Sequence, residues 1–321
     1  MKNFIGICCL IGFFLPLSSA AVDTGLPKCL YVSSYHQGYE WNDGIERGVD
    51  SVLNGQCKVD RFYLDTKRNT SAAFAEHMAQ KAKQYIEANK PDIIIAADDN
   101  ASRYLIKPYF RDAGIPVVFC GVNWTVEEYG YPYSNATGMI EVVSIRPLLK
   151  VVQSVAKLPL KGIYLSSDVF TEHKDFERYR SKYAQKQVSL EAVFVKTLDD
   201  WKKEYIRAQS ASFIILGNNA GINDWNEEEA ASHALQHARS FTVTNYDWMM
   251  PYAMFAMTKI PDEHGEWAGK VALAILNGKE PDDIPIVVNR RWNIFANLAL
   301  LTKADINLGS HLLNKAVKVG E

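Results

Sequence analysis

The chain has 321 residues, 48% hydrophobic and 22% charged, with a formal net charge of −2 at pH 7. This balance excludes a disordered chain, a collagen-like chain and a polytopic membrane protein, and the length suits two domains of ordinary size. With no basic excess or stripe, a nucleic-acid partner is not expected.

Residues 1–20 read as a secretory signal. Lys2 supplies a positive end, Phe4 to Leu17 is an uncharged apolar run, and Ser18-Ser19-Ala20 places small residues at a cleavage site taken to follow Ala20. The run is about 14 residues, short for a helix crossing roughly 30 Å of hydrocarbon. No Cys follows it, so a lipid anchor is not indicated. Asn69, Asn100, Asn123 and Asn135 each begin an N-x-Ser/Thr sequence. A glycan at Asn100 or Asn123 would block the cleft argued below, which favours a bacterial protein exported to the periplasm.

Cys8 and Cys9 leave with the signal; Cys29, Cys57 and Cys120 remain. Cys29 and Cys57 open the first two strands, which are commonly neighbours in a parallel sheet. They can bond if their Cα atoms approach within about 7 Å, and sequence alone leaves this open. Cys120 ends an apolar run and reads as a core residue.

In chain order, Cys29–Ser33 is a buried strand, Asp43–Leu53 a helix and Val59–Tyr63 a second strand. Ser71–Ala88 is an amphipathic helix capped by Thr70 or Ser71. Asp92–Ala97 is a central parallel strand, and Ala101–Asp112 a helix interrupted by Pro108. Ile115–Cys120 and Thr137–Val142 are the next strands. The pattern then restarts: helix Ser144–Val155, strand Gly162–Leu165, helix Thr171–Tyr183, strand Ala192–Val195 and helix Asp199–Ala208. It continues through strand Phe213–Leu216, helix Glu227–Ala238, strand Phe241–Thr244, helix Gly265–Asn277 and strand Ile284–Val288. This alternation predicts an α/β protein with two doubly wound parallel-sheet lobes joined by a short hinge near residues 142–146. The tail after Gly278 is too short for a third domain and should pass back between the lobes.

Ligands of open parallel sheets bind beyond the carboxyl ends of the strands. In the first lobe those loops offer Ser34, Tyr35 and His36, then Asp98, Asp99, Asn100 and Ala101, then Gly121, Asn123 and Trp124. In the second lobe they offer Ser166, Ser167 and Asp168, then Asn218 and Asn219, then Asn245, Tyr246 and Asp247. Such residues also serve as helix caps and turn formers, so the reading rests on the loops together. They suit a small polar or zwitterionic ligand with a flat apolar part. Hydroxyls and helix N–H groups would hold a carboxylate, Asp168 or Asp247 an ammonium, and Tyr35, Trp124, Tyr246 and Trp248 would stack.

Catalytic and metal patterns are weak. There is no GxSxG, P-loop or HExxH. His233 and His237 sit four apart with Glu229 before them, but a zinc site needs three or four ligands, and the stretch reads as a solvated helix face. Asp98 and Asp99 are read as a helix cap and a ligand or hinge contact rather than an acid–base pair. No catalytic residue, cofactor or metal is expected. The alternative is a hydrolase or isomerase using the same cleft.

The segments YVSSYHQGYEWNDGIERGV (31–49), YLDTKRN (63–69), PDIIIAADDNA (91–101), GIPVVFCGVN (114–123) and GEWAGKVALAILNGKEPDDIPIV (265–287) resemble the ABC-transporter substrate-binding protein family. Within that family they resemble the branch associated with membrane signalling proteins. The resemblance implies the type I periplasmic binding protein fold: two lobes, a three-stranded hinge and a small ligand held without chemistry. The lobes would be 27–141 plus 250–284 and 142–249 plus 285–321. An amino acid, aromatic ones included, is the implied ligand class. The implied partners are that ligand and a membrane ABC permease or a sensor kinase or cyclase, with the protein a monomer. Residues 248–260 (WMMPYAMFAMTKI) depart from the Gly-rich stretch of better-known amino-acid binders.

Overall fold

Short apolar runs bounded by turn residues become strands, and the amphipathic stretches between them become helices that cover two sheets. The computed structural model describes residues 25–156 and 158–320. The expected signal segment 1–20, with Cys8 and Cys9, lies outside them. The first run comprises β1(Lys28–Ser33), α1(Glu40–Leu53), β2(Lys58–Tyr63), α2(Ala72–Asn89), β3(Ile93–Ala97), α3(Asp98–Asn100), α4(Lys107–Tyr109), β4(Val117–Asn123) and β5(Ala136–Glu141). The second comprises α5(Ile145–Val155), β6(Lys161–Ser167), α6(Phe170–Ala184), β7(Ser189–Val195), α7(Leu198–Ala208), β8(Phe213–Leu216), α8(Glu227–His237), β9(Phe241–Thr244) and β10(Phe255–Lys259). The chain ends with α9(Pro261–Leu276), β11(Val287–Val288), β12(Trp292–Asn297), α10(Leu298–Lys303), α11(Ser310–Leu313) and β13(Val317–Val319).

The first sheet has the order β11-β5-β4-β3-β1-β2 and is parallel throughout. The second has the order β13-β12-β10-β9-β8-β6-β7, with β12 antiparallel to β10. The order reverses between β1 and β3 in one lobe and between β6 and β8 in the other, which creates a switch point in each. Two apolar clusters cover the two faces of the first sheet, and a third fills the second lobe.

Three local features differ from the sequence expectation. Residues Phe255–Lys259 lie in the second sheet, pairing with β12 along their length and with β9 at Phe255 and Ala256, and Val287–Val288 pair with β5 in the first. The crossings between lobes therefore fall after Glu141, after Lys259 and after Val288, rather than at 250 and 285. The reason is that a strand is hidden in the Met-rich stretch 248–260, behind a 3-10 turn at Asp247–Met249. Finally, Pro108 does not break its helix. Residues Ala101–Ile106 form a π-helical segment in which the Lys107 N–H reaches the Ser102 carbonyl, widening the turn ahead of a residue with no N–H.

β1 and β2 pair with Cys29 opposite Val59, which brings Cys57 beside Cys29. The two are disulfide-bonded with Cα atoms 6.0 Å apart, while Cys120 is buried and free. Among the described residues no helix is long and apolar enough to cross a membrane.

α9 leaves the second sheet and packs on α1 of the first lobe, which anchors the second crossing. The two helices approach through glycines: a Cβ on Gly265 would lie 1.9 Å from the Ile45 carbonyl oxygen, and one on Gly48 2.2 Å from that of Asp262. Because backbone must yield, Gly265→Ala is expected to lower the unfolding free energy by roughly 1–3 kcal/mol in a urea titration. An unchanged midpoint would show that the helices separate freely.

Candidate functional site

The residues that follow β1, β3, β4, β8 and β9 converge on a cleft of ≈ 870 Å³ between the lobes. Its floor is the crossing itself. Glu141 ends β5, Lys259 ends β10, and the two form a buried ion pair. The Lys259 ammonium also stands 5.1 Å from the centre of the Trp41 ring.

In the first lobe β3 turns abruptly into helix. Asp98 takes a left-handed φ of 69°, and its Oδ1 accepts from Trp41 Nε1 at 2.9 Å. Asp99 is held by three donors: the Tyr129 hydroxyl at 2.7 Å, the Asn123 N–H at 3.2 Å and Asn123 Nδ2 at 2.6 Å. Trp124 is carried out from β4 in a left-handed conformation and meets the Arg178 guanidinium of the opposite lobe, 4.2 Å from its ring centre. That cation–π contact spans the cleft.

In the second lobe the first turns of α6 carry the chemistry. Glu172 is 1% exposed yet borders the cleft. It accepts from the Ser166 hydroxyl at 2.5 Å, the Tyr164 hydroxyl at 2.7 Å, the Asn218 N–H at 3.0 Å and the Tyr246 hydroxyl at 3.1 Å. Asp175, one turn along, pairs with Arg178 at 3.3 Å. The rings of Tyr246 and Trp248 lie 4.7 Å apart at the rim.

Nine Asp or Glu and six Lys or Arg side chains border the cleft, so acidic groups outnumber basic ones. Burial raises the carboxyls of Asp98, Glu141 and Asp175 above the usual range, and Lys259 offsets this for each. Burial alone would lower the Lys259 ammonium, but Glu141 beside it outweighs that and raises it. Burial holds His264, whose Nδ1 accepts from the Gly121 N–H, down at about 3, so it is neutral.

Of the sequence-predicted residues, the structure brings Tyr35, Asp98, Asp99, Asn123, Trp124, Asn218, Asn245, Tyr246 and Asp247 to the cleft wall. It places the others behind or beside it. The Ser34 hydroxyl donates to the Ala97 carbonyl and accepts from the Ala101 N–H, so both residues hold the loop. His36 bonds the Gln37 carbonyl, Asn100 bonds Thr66, and Gly121 lies buried against His264. Ser166 and Ser167 bond within the second lobe, and the Asn219 carbonyl closes a turn onto the Ile222 N–H. Asp168 is spent on His173 at 2.7 Å and Lys196 at 3.2 Å. Among the cleft residues that sequence reasoning missed are Trp41, Tyr129, Glu141, Glu172, Asp175, Arg178 and Lys259.

The ABC transporter substrate binding protein family matches residues 40–320. The chain belongs to this family. No curated protein matches the sequence. Among solved structures, this family member resembles a ligand-free, open substrate-binding protein with adhesive properties from Clostridium difficile. The identity is 13% and the TM-score 0.72, covering 92% of this chain and 99% of that one. It also resembles a conserved domain protein from Vibrio cholerae, at 16% identity and TM-score 0.61 with the same coverages. A third relative is an ABC domain in complex with L-Trp from Streptococcus pneumonia, at 14% identity and TM-score 0.59, again over 92% and 99%. At these identities the likeness establishes the fold, a type I periplasmic binding protein. Neither family nor relatives support the hydrolase or isomerase alternative.

Removing the Glu172 acceptor strands several buried donors at about 1–3 kcal/mol each. Glu172→Ala is therefore expected to cost about 3 kcal/mol or more in unfolding free energy, and Tyr246→Phe about 1 kcal/mol. Equal, small losses in both would show that Glu172 does not organise this wall.

Proposed function

We propose that the protein is an exported, periplasmic solute-binding protein that captures a small ligand between its lobes and presents it to a membrane ABC permease. The first candidate is an amino acid, aromatic ones included, or a similar flat polar molecule. The observation that carries this reading is the composition of the cleft. Aromatic rings from both lobes, Tyr35 and Trp124 of the first and Tyr246 and Trp248 of the second, line a cavity of ≈ 870 Å³ among charged groups. Trp248 is 53% exposed, a large apolar surface that a flat ligand would cover. The Arg178–Trp124 contact supplies a strap between lobes that a ligand would compete with or join. Of the two aspartates offered for an ammonium, Asp247 remains at the wall and Asp168 does not. The ligand is held and released unchanged by a monomer that closes about the crossing strands.

A thermal-shift screen of amino acids, aromatic amines and nucleosides on the mature protein tests this. One class is expected to raise the melting temperature. At a hundredfold excess over Kd the stabilisation is about 2.7 kcal/mol. The same ligand should be recovered chemically intact by mass spectrometry. No shift with any compound, or a converted ligand, would sink the reading.

A further inference from the structure

Asp98 is built at some cost to the fold. It is 1% exposed and takes a left-handed φ of 69°, a conformation that non-glycine residues enter rarely and that concentrates at functional sites. Trp41 satisfies Oδ1, while Oδ2 is buried without a hydrogen-bond partner among the described residues. β4 makes room for the carboxyl: Gly121 has a φ of 71°, and a Cβ there would lie 2.8 Å from Asp98 Oδ1. Strain, an orphaned oxygen and a relinquished side chain thus meet at one carboxyl on the cleft wall. None of the three stabilises the fold, and native proteins pair nearly all buried polar atoms.

The surrounding charges leave the carboxyl short of a cation. Facing it are Asp99 from its own turn, Glu141 from β5, Tyr31 and Tyr35 from β1 and its loop, Cys120 from β4 and Lys259 from β10. His264 of α9, behind Gly121, is neutral. Lys259 is the one positive group in this set, and it is paired with Glu141. Arg178 is committed to Asp175 and Trp124.

We propose that Asp98 is the specificity-determining residue of the cleft, binding a protonated amine of the ligand through the carboxyl oxygen that Trp41 leaves free. This rests on the cleft being the ligand site. The substrate class is a primary or secondary ammonium attached to a flat ring. Burial makes the empty carboxyl hold its proton more tightly than usual, so below the carboxyl's raised folded value the entering ammonium displaces that proton to solvent and keeps its own.

The test uses tryptamine and indole-3-propionate, which share ring and linker and differ in the charged end, titrated calorimetrically into mature wild type and Asp98→Asn. Wild type should prefer tryptamine, and below the carboxyl's folded value proton release appears as a binding heat that changes with buffer ionisation enthalpy. Asp98→Asn should weaken tryptamine about thirtyfold or more, leave the propionate nearly unchanged and abolish the proton release. A tryptamine affinity unchanged in the variant, or a wild type that prefers the propionate, overturns the role of Asp98 and leaves the solute-binding reading standing. No heat with either probe counts against both.

Folding is controlled by the variant's own stability. A carboxyl raised by burial contributes stability at low pH that is lost as pH rises through its folded value. Asp98→Asn should therefore melt no lower than wild type, with an advantage that grows as pH rises above the usual carboxylate range. A variant less stable over that whole rise in pH would make Asp98 a structural residue and overturn the proposal.

Discussion

The fold depends on how three strands cross between its lobes, and the central contact there is the buried ion pair of Glu141 and Lys259. Glu141 is the last residue of β5 in the first sheet, and Lys259 the last of β10 in the second. Burying two charges costs several kcal/mol each unless their geometry and remaining hydrogen bonds compensate. Here the ammonium also faces the Trp41 ring. The third crossing is tied to the second by Glu263, whose two oxygens accept the Arg290 and Arg291 N–H groups at 2.9 Å each. The Asn289 side chain, in turn, accepts the Val142 N–H at 2.7 Å. Stitched side by side, the three segments form one band between the lobes.

The same pair sets the electrostatics of the cleft. It occupies the buried Lys259 ammonium, so Asp98 borders the cleft without a cation of its own. Arg178 is engaged twice over, by Asp175 and Trp124. The ion pair that joins the lobes thus stands in the same cleft as the acidic and aromatic side chains around it.

Much of this was legible in the residues. Continuous apolar runs such as Ile93–Ala97 read as central strands, and the Ser71 cap, accepting from the Phe74 N–H, marked the start of α2. Tyr35, Asp98, Trp124 and Tyr246 line the cleft because they follow parallel strands, whose carboxyl ends open onto it. The α6 residues were not legible that way, since they belong to a helix face rather than a loop. Their signal was present: Glu172 and Asp175 share helical spacing with Phe176, Tyr179 and Tyr183, so acidic groups fall on the buried stripe. Glu141 and Lys259 were hidden because each ends an apolar run, and what gives them meaning is a partner over a hundred residues away. Asp168 misled for the opposite reason. It occupies a strand-end loop, yet its carboxylate is turned to His173 and Lys196.

The most direct measurement is a double-mutant cycle on the crossing, with Glu141→Gln, Lys259→Met and the double variant compared by equilibrium unfolding. Each single change leaves an uncompensated buried partner and is expected to cost roughly 3–5 kcal/mol. The double variant should cost well under their sum, with a coupling of at least about 1.5 kcal/mol. Single losses under about 0.5 kcal/mol that simply add would contradict the account, because the crossing would then owe nothing to this pair.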